Sequence, residues 1–152
     1  MNTFPVRFGR KGFTLIELLI VIVIIGILAG VVLVVLNPAK QQRKSAESVL
    51  SANTNKLCLA LNSCAATTAT AGNCGSATFA TTLALIGAAD PTGIPAASTF
   101  ASAISGNVVT ITGTLSATAG VPKTDSTACN YSCSFDFGAG TATRLLPDAG
   151  CW

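Results

Sequence analysis

The side chains able to do chemistry are few and unevenly placed. A single carboxylate, Glu17, interrupts an otherwise apolar run that reaches from Phe13 to Leu36, in which Thr14 is the one other polar residue. Six cysteines, Cys58, Cys64, Cys74, Cys129, Cys133 and Cys151, all lie beyond that run. Histidine is absent, and only 10% of the 152 residues are charged. With no Gly-rich phosphate loop, nucleophile elbow or paired carboxylates either, acid–base and nucleophilic catalysis lack their usual groups. The composition argues against an enzyme. A zinc site would want histidines or CxxC spacings, and the sequence has neither, so no metal or cofactor is expected. An even set of cysteines in a small exported domain reads instead as a disulfide framework. Asn130-Tyr131-Ser132 matches the N-glycosylation triplet, but such triplets recur by chance and it is assigned no role.

The element that must position Glu17 is a helix of membrane length. Leu18 to Leu36 carries no polar side chain. At ~1.5 Å per residue, Phe13 to Leu36 makes a helix of ~36 Å against a hydrocarbon core of ~30 Å. Strands stop at about 10 residues, which rules out a buried strand despite the many Val and Ile. Arg7, Arg10 and Lys11 precede the run with no acidic neighbour, so the positive-inside bias keeps the N-terminus cytoplasmic and exports the rest. The net charge of +3 resides in that leader, and the remainder of the chain balances. A secretory signal has an apolar core of about 7 to 15 residues and a small-residue cleavage site; this run is longer, and no convincing A-x-A pattern follows it.

Glu17 lies about 9 Å of helix rise beyond Lys11, near the membrane interface. A carboxylate within a span costs on the order of 2.5 to 3.5 kcal/mol at mid-membrane, so it asks for a partner or a shallow position. Gly26 and Gly30 form a GxxxG on one face, which permits close helix approach, although glycine is common in membrane helices. Asn37-Pro38 predicts a kink or break, since proline lacks a donor and disfavours helical geometry before it. Lys40, Arg43 and Lys44 then read as a solvated or headgroup-facing patch. No broader basic face follows, so no nucleic acid is implied as a partner.

Arg10-Lys11-Gly12-Phe13-Thr14-Leu15-Ile16-Glu17-Leu18-Leu19 resembles the signature of type IV prepilins and the related pseudopilins. In that family a basic leader ends in Gly, Phe follows, and Glu sits four residues later at the top of a long apolar helix. The resemblance implies that prepilin peptidase cuts between Gly12 and Phe13 and that the new Phe13 amine is N-methylated. Residues 1–12 are then a removed leader, 13–36 the transmembrane and filament-core helix, and 37–152 an extracytoplasmic globular domain. It further implies that Glu17 of one subunit meets the Phe13 amine of a neighbour in a helical homo-oligomer. The implied partners are other pilins, the peptidase and an inner-membrane assembly platform, with membrane lipid before assembly. The implied location is the inner membrane, single-pass, and then an extracellular or periplasmic filament. The family's helix bends near a proline somewhat earlier than Pro38. Two competing readings are a singly anchored exported adhesion or binding module and a type II secretion pseudopilin; six cysteines and an Ala/Thr-rich middle favour a pilus subunit over the latter.

In the exported half, Ala46, Val49, Leu50, Leu57, Ala60 and Leu61 recur at spacings of three, four and seven, which predicts an amphipathic helix ending near Asn62. Arg43 and Glu47 form an i,i+4 pair assigned to its polar side. Residues 65–105, rich in Ala, Thr and Ser, read as loop with one or two short helices. Ser76 is the candidate cap of one carrying Phe79, Leu83 and Ile86 and stopping at Gly87. Period-two alternation predicts strands at 107–115 and 129–137, and Gly138-Ala139-Gly140 turns into a third at 141–146. The expected fold is α+β: a long hydrophobic N-terminal helix, its later half packed on a small antiparallel sheet, the lollipop plan of pilins.

The cysteine pairing is only partly restricted by these elements. Cys58 and Cys64 stand about 240° apart round a helix and should not pair. Cys129 and Cys133 share a strand face but lie about 13 Å apart. Cys64 with Cys74 is expected, and Cys151 with either Cys129 or Cys133. The second tie resembles the C-terminal disulfide loop of many type IV pilins.

Overall fold

A computed structural model describes residues 12–119 and 127–152, so Arg7, Arg10 and Lys11 of the leader lie outside the described residues. The chain divides into two units between Asn37 and Pro38. The first is built on one helix, α1 (Leu15–Leu36), of Leu, Ile, Val, Ala and Gly with Glu17 in its first turn. Such a run has no sheet partner, and an isolated segment satisfies its backbone groups internally only as a helix. Asn37 ends it in the left-handed region, at φ 38° and ψ 79°. Pro38, which has no N–H to donate, opens the next helix.

The second unit carries α2 (Pro38–Ala65), three residues longer than expected, a single 3-10 turn at Ala71–Asn73, and α3 (Phe79–Ile86). An antiparallel sheet follows: β1 (Ser98–Ser105), β2 (Val108–Leu115), β3 (Cys129–Asp136), and two short pieces, β4 (Thr141–Ala142) and β5 (Leu146–Pro147). Its order is β1-β2-β3-β4, and β5 also pairs with β3.

The face that α2 turns to the sheet is Arg43, Glu47, Leu50, Thr54, Leu57, Cys58 and Leu61. Alternating steps of three and four place these residues on one stripe. Val49, expected in the apolar face, is exposed because it lies about 100° from Leu50. From the sheet, Val109, Ile111 and Leu115 are fully buried against the stripe. Gly113 continues that row, and a Cβ there would collide with the Thr54 hydroxyl and Leu50, so only glycine permits α2 to approach this closely.

Other expectations also need correction. Residues 98–105, assigned to loop, form β1 and pair along their whole length with β2, from Ser98 with Leu115 to Ser105 with Val108. Small Ser and Ala side chains dilute the alternation, but the two-residue Gly106-Asn107 link, with Gly106 at φ 58°, is a tight hairpin connection. The single strand expected at 141–146 is two short pieces, with the intervening residues outside any strand. Ser76 is not the N-cap of α3; Thr78 occupies that position, and Ser76 is tied from upstream, its N–H donating to the Thr82 hydroxyl at 2.9 Å.

Three disulfides staple the second unit. Cys64 pairs with Cys74, Cys129 is the partner of Cys151, and Cys58 on α2 bonds Cys133 on β3. The last joins helix to sheet directly.

Arg43 and Glu47, expected on the polar face, are both buried, the guanidinium Nε donating to the carboxylate at 2.8 Å. Arg43 Nη1 also donates to the carbonyls of Ser116, at 2.6 Å, and Ala119, at 3.2 Å, beyond the end of β2. The other Glu47 oxygen accepts from the backbone N–H of Trp152 at 2.7 Å. One helical turn thus gathers two segments remote in sequence. The pair is buried at the place where these main-chain groups meet α2, and charge-assisted hydrogen bonds to them are stronger than neutral ones.

Two expectations follow for stability. In the chain-entropy picture the stabilisation by a disulfide grows with the loop it closes, and the separations here are 75, 22 and 10 residues for Cys58–Cys133, Cys129–Cys151 and Cys64–Cys74. Pairwise Cys→Ser replacement should therefore cost about 4.5, 3.4 and 2.7 kcal/mol respectively; urea melts that reversed this order would reject the assignment. Glu47→Ala strands a buried guanidinium and should cost about 3 to 5 kcal/mol, whereas the double variant Arg43→Met/Glu47→Leu should cost much less. Equal losses in single and double variants would mean that the pair is not the clamp described.

Candidate functional site

The sequence-derived site residues fall into two groups. Gly12, Phe13, Glu17, Gly26 and Gly30 belong to the first unit, and the six cysteines to the second, where all are consumed in disulfides. Pro38 is the first residue of α2.

At the head of α1 the geometry is specific. Thr14 is the N-cap, its hydroxyl accepting the Glu17 N–H at 3.3 Å. Glu17 reaches back: Oε2 accepts the Thr14 N–H at 2.9 Å and the Thr14 hydroxyl at 2.8 Å. This is a reciprocal capping box, in which two helix-end donors are satisfied and the negative charge sits at the positive end of the helix dipole. The sequence pattern Thr14-x-x-Glu17 announces it, though the carboxylate drew attention first as an anomaly inside an apolar run. The box holds the carboxylate beside the Phe13–Thr14 peptide. Gly12 and Phe13 themselves are exposed, Phe13 at 86%.

Along the rest of α1, every large apolar side chain from Leu15 to Val35 is exposed. Gly26 and Gly30 lie mid-helix, and a Cβ on either would meet nothing within 4 Å. Among the described residues this is the one helix long and apolar enough to cross a membrane. Chemically the helix does one thing: it presents an apolar rod, with a single acid at one end, to whatever covers it.

Among the described residues, the second unit holds no comparable reactive group. Cys129, Asp148 and Cys151 approach within 4.8 Å of one another, but the two sulfurs are bonded together and offer no thiolate to a metal. An open groove of about 720 Å³ runs along α2 between Lys44, Ser51 and Asn55 on one side and Tyr131, Arg144 and Trp152 on the other. Burial pushes the Tyr131 phenol up from its ordinary value, and the negative charges of Glu47 and Asp148 add to the shift. Lys40 Nζ stands 4.0 Å above the Trp152 ring and Lys44 Nζ 5.7 Å from it. Sequence reasoning gave Trp152 no role; nothing in its local sequence marks it, since its cationic neighbours arrive from α2.

No curated protein and no solved structure matches this chain. A family match does exist, confined to the leader, the junction and most of α1. Residues 7–33 match the prokaryotic N-terminal methylation motif, the signature of type IV prepilins, and the chain carries that signature at the head of an exposed apolar helix that is followed by an α+β unit.

Proposed function

We propose that the chain is a structural subunit of a type IV pilus-type filament, with no catalytic role of its own. The observation that carries this reading is the coincidence of the methylation motif at 7–33 with a helix whose large apolar side chains from Leu15 to Val35 are all exposed. Prepilin peptidase removes residues 1–12 at the cytoplasmic face by cutting between Gly12 and Phe13, and the Phe13 amine is methylated. Residues 13–36 hold the protein in the inner membrane with its N-terminus in the cytoplasm, and residues 37–152 are exported. An assembly platform then transfers α1 from lipid into a bundle of like helices, with Gly26 and Gly30 at a close helix contact. Each added subunit makes head-to-tail contacts whose rotation does not close, which generates a filament.

Glu17 sets the register. Once the chain is cut, Phe13 carries an α-amino group, cationic at neutral pH. In the dry core of a bundle a carboxylate and an ammonium attract more strongly than in water, and either one left alone is costly. Thr14 keeps the carboxylate hydrogen-bonded at the head of the helix until such a partner arrives.

Mass spectrometry of the processed protein tests the whole sequence of events: the expected chain begins at Phe13 and is one methyl group heavier than its residues require. A chain that begins at Met1, or an unmethylated one that stays single in the bilayer, would instead make it an anchored binding module. Replacing Gly12 by Val should abolish cleavage and leave only the uncut form on a gel. Replacing Glu17 by Ala should leave cleavage intact and reduce shed filament protein by about tenfold or more, the equivalent of one lost charge-assisted contact per subunit. Wild-type filament yield from that variant would remove Glu17 from the mechanism.

A further inference from the structure

The geometry points to a second membrane contact, in which Trp152 with Lys40 and Lys44 docks onto anionic phospholipid headgroups at the outer face of the same bilayer that holds α1. The inference rests on the reading of α1 as a membrane helix. Three observations support it. First, covalent distance: α1 ends at Leu36, and Lys40 and Lys44 follow within the first two turns of α2. Even a fully extended chain spans no more than about 3.6 Å per residue, so Lys40 stays within about 15 Å of the end of the span however the units are arranged. The headgroup layer on each side of a bilayer is itself several Å thick.

Second, chemistry: the fold carries Trp152 across more than a hundred residues of sequence to stand under the two ammonium groups, at 4.0 and 5.7 Å. An indole has an apolar body and a polar N–H, the combination that settles at the membrane–water interface, and lysines beside it reach for phosphate along their apolar stems. Glu47 pairs with the buried Arg43, and the ammonium groups that stand at the ring are those of Lys40 and Lys44. Third, shape: Trp152 is 38% exposed and walls an open groove with Lys44, Glu47, Ser48, Ser51, Tyr131 and Arg144, a polar lining suited to a headgroup and unsuited to acyl chains. A nucleic acid would want a longer basic track than two lysines and one arginine.

Trp152 is the sole tryptophan, so its fluorescence reports this place alone. The full chain is reconstituted at low density into vesicles of equal parts phosphatidylglycerol and phosphatidylcholine, with a nitroxide at the headgroup or deep on the acyl chain. Quenching by the headgroup probe should exceed quenching by the deep probe, and should weaken in pure phosphatidylcholine. Lys40→Gln and Lys44→Gln should each lower the docked-to-undocked ratio about fivefold, while Lys→Arg at both positions retains it. Emission unchanged from that in detergent, quenching indifferent to both lysines, or a spectral shift produced by a short DNA strand and by neither lipid probe would each overturn the proposal. Flotation with the vesicles is read separately: a chain that floats without headgroup quenching defeats only this inference, and one that fails to float defeats the membrane reading of α1 as well.

Discussion

An apolar helix that its own chain leaves uncovered has to be covered by something else. From Leu15 to Val35 the large side chains of α1 are all exposed, and at about 25 cal/mol per Å² such a surface is not left in water. Lipid and neighbouring helices are the two environments that accept it. The proposed life of the protein consists of passing from the first to the second. In that proposal the acid at the head of the helix distinguishes the two, because acyl chains offer a carboxylate no partner and a bundle of cut chains offers an amine for each Glu17. The Thr14 capping box is then understandable as local protection, hydrogen-bonding the charge within its own first turn.

The second unit answers a different physical problem, that of a small domain with little core. Its buried set is modest, dominated by Leu, Ile, Val and half-cystine, and the sheet is only partly regular beyond β3. Covalent staples compensate by restricting the unfolded chain. Cys58–Cys133 bonds the helix to the sheet, and Cys129–Cys151 ties Trp152 and its neighbours to the start of β3. Arg43 and Glu47 serve the same end by polar means, fastening the chain beyond β2 and the backbone of Trp152 to one turn of α2. A buried ion pair adds little stability over an apolar replacement, so its use here is better understood as specificity, naming which main-chain segments meet α2.

Legibility in the sequence tracked the range of the forces involved. α1, its break at Asn37-Pro38, and the alternation in β2 and β3 are local patterns of period and composition, and they read directly. β1 was obscured because Ser, Thr and Ala alternate weakly, although Gly106-Asn107 marks its hairpin. Arg43 and Glu47 misled because charge at i,i+4 is ordinarily a solvated pairing. They continue the stripe of Leu50, Leu57 and Leu61 at the same spacing, and position on the helix overrode residue type.

The apolar rod and the acid at its head were readable from sequence, because each depends on neighbours within a few residues. It also narrowed Cys151 to two partners. Only tertiary structure decided that Cys129 is that partner, that Cys58 takes Cys133, and that Trp152 lies beneath Lys40 and Lys44. Those outcomes depend on how α2 crosses the sheet, and that packing is set by the closeness Gly113 permits and by groups far apart in the chain, which no local pattern records.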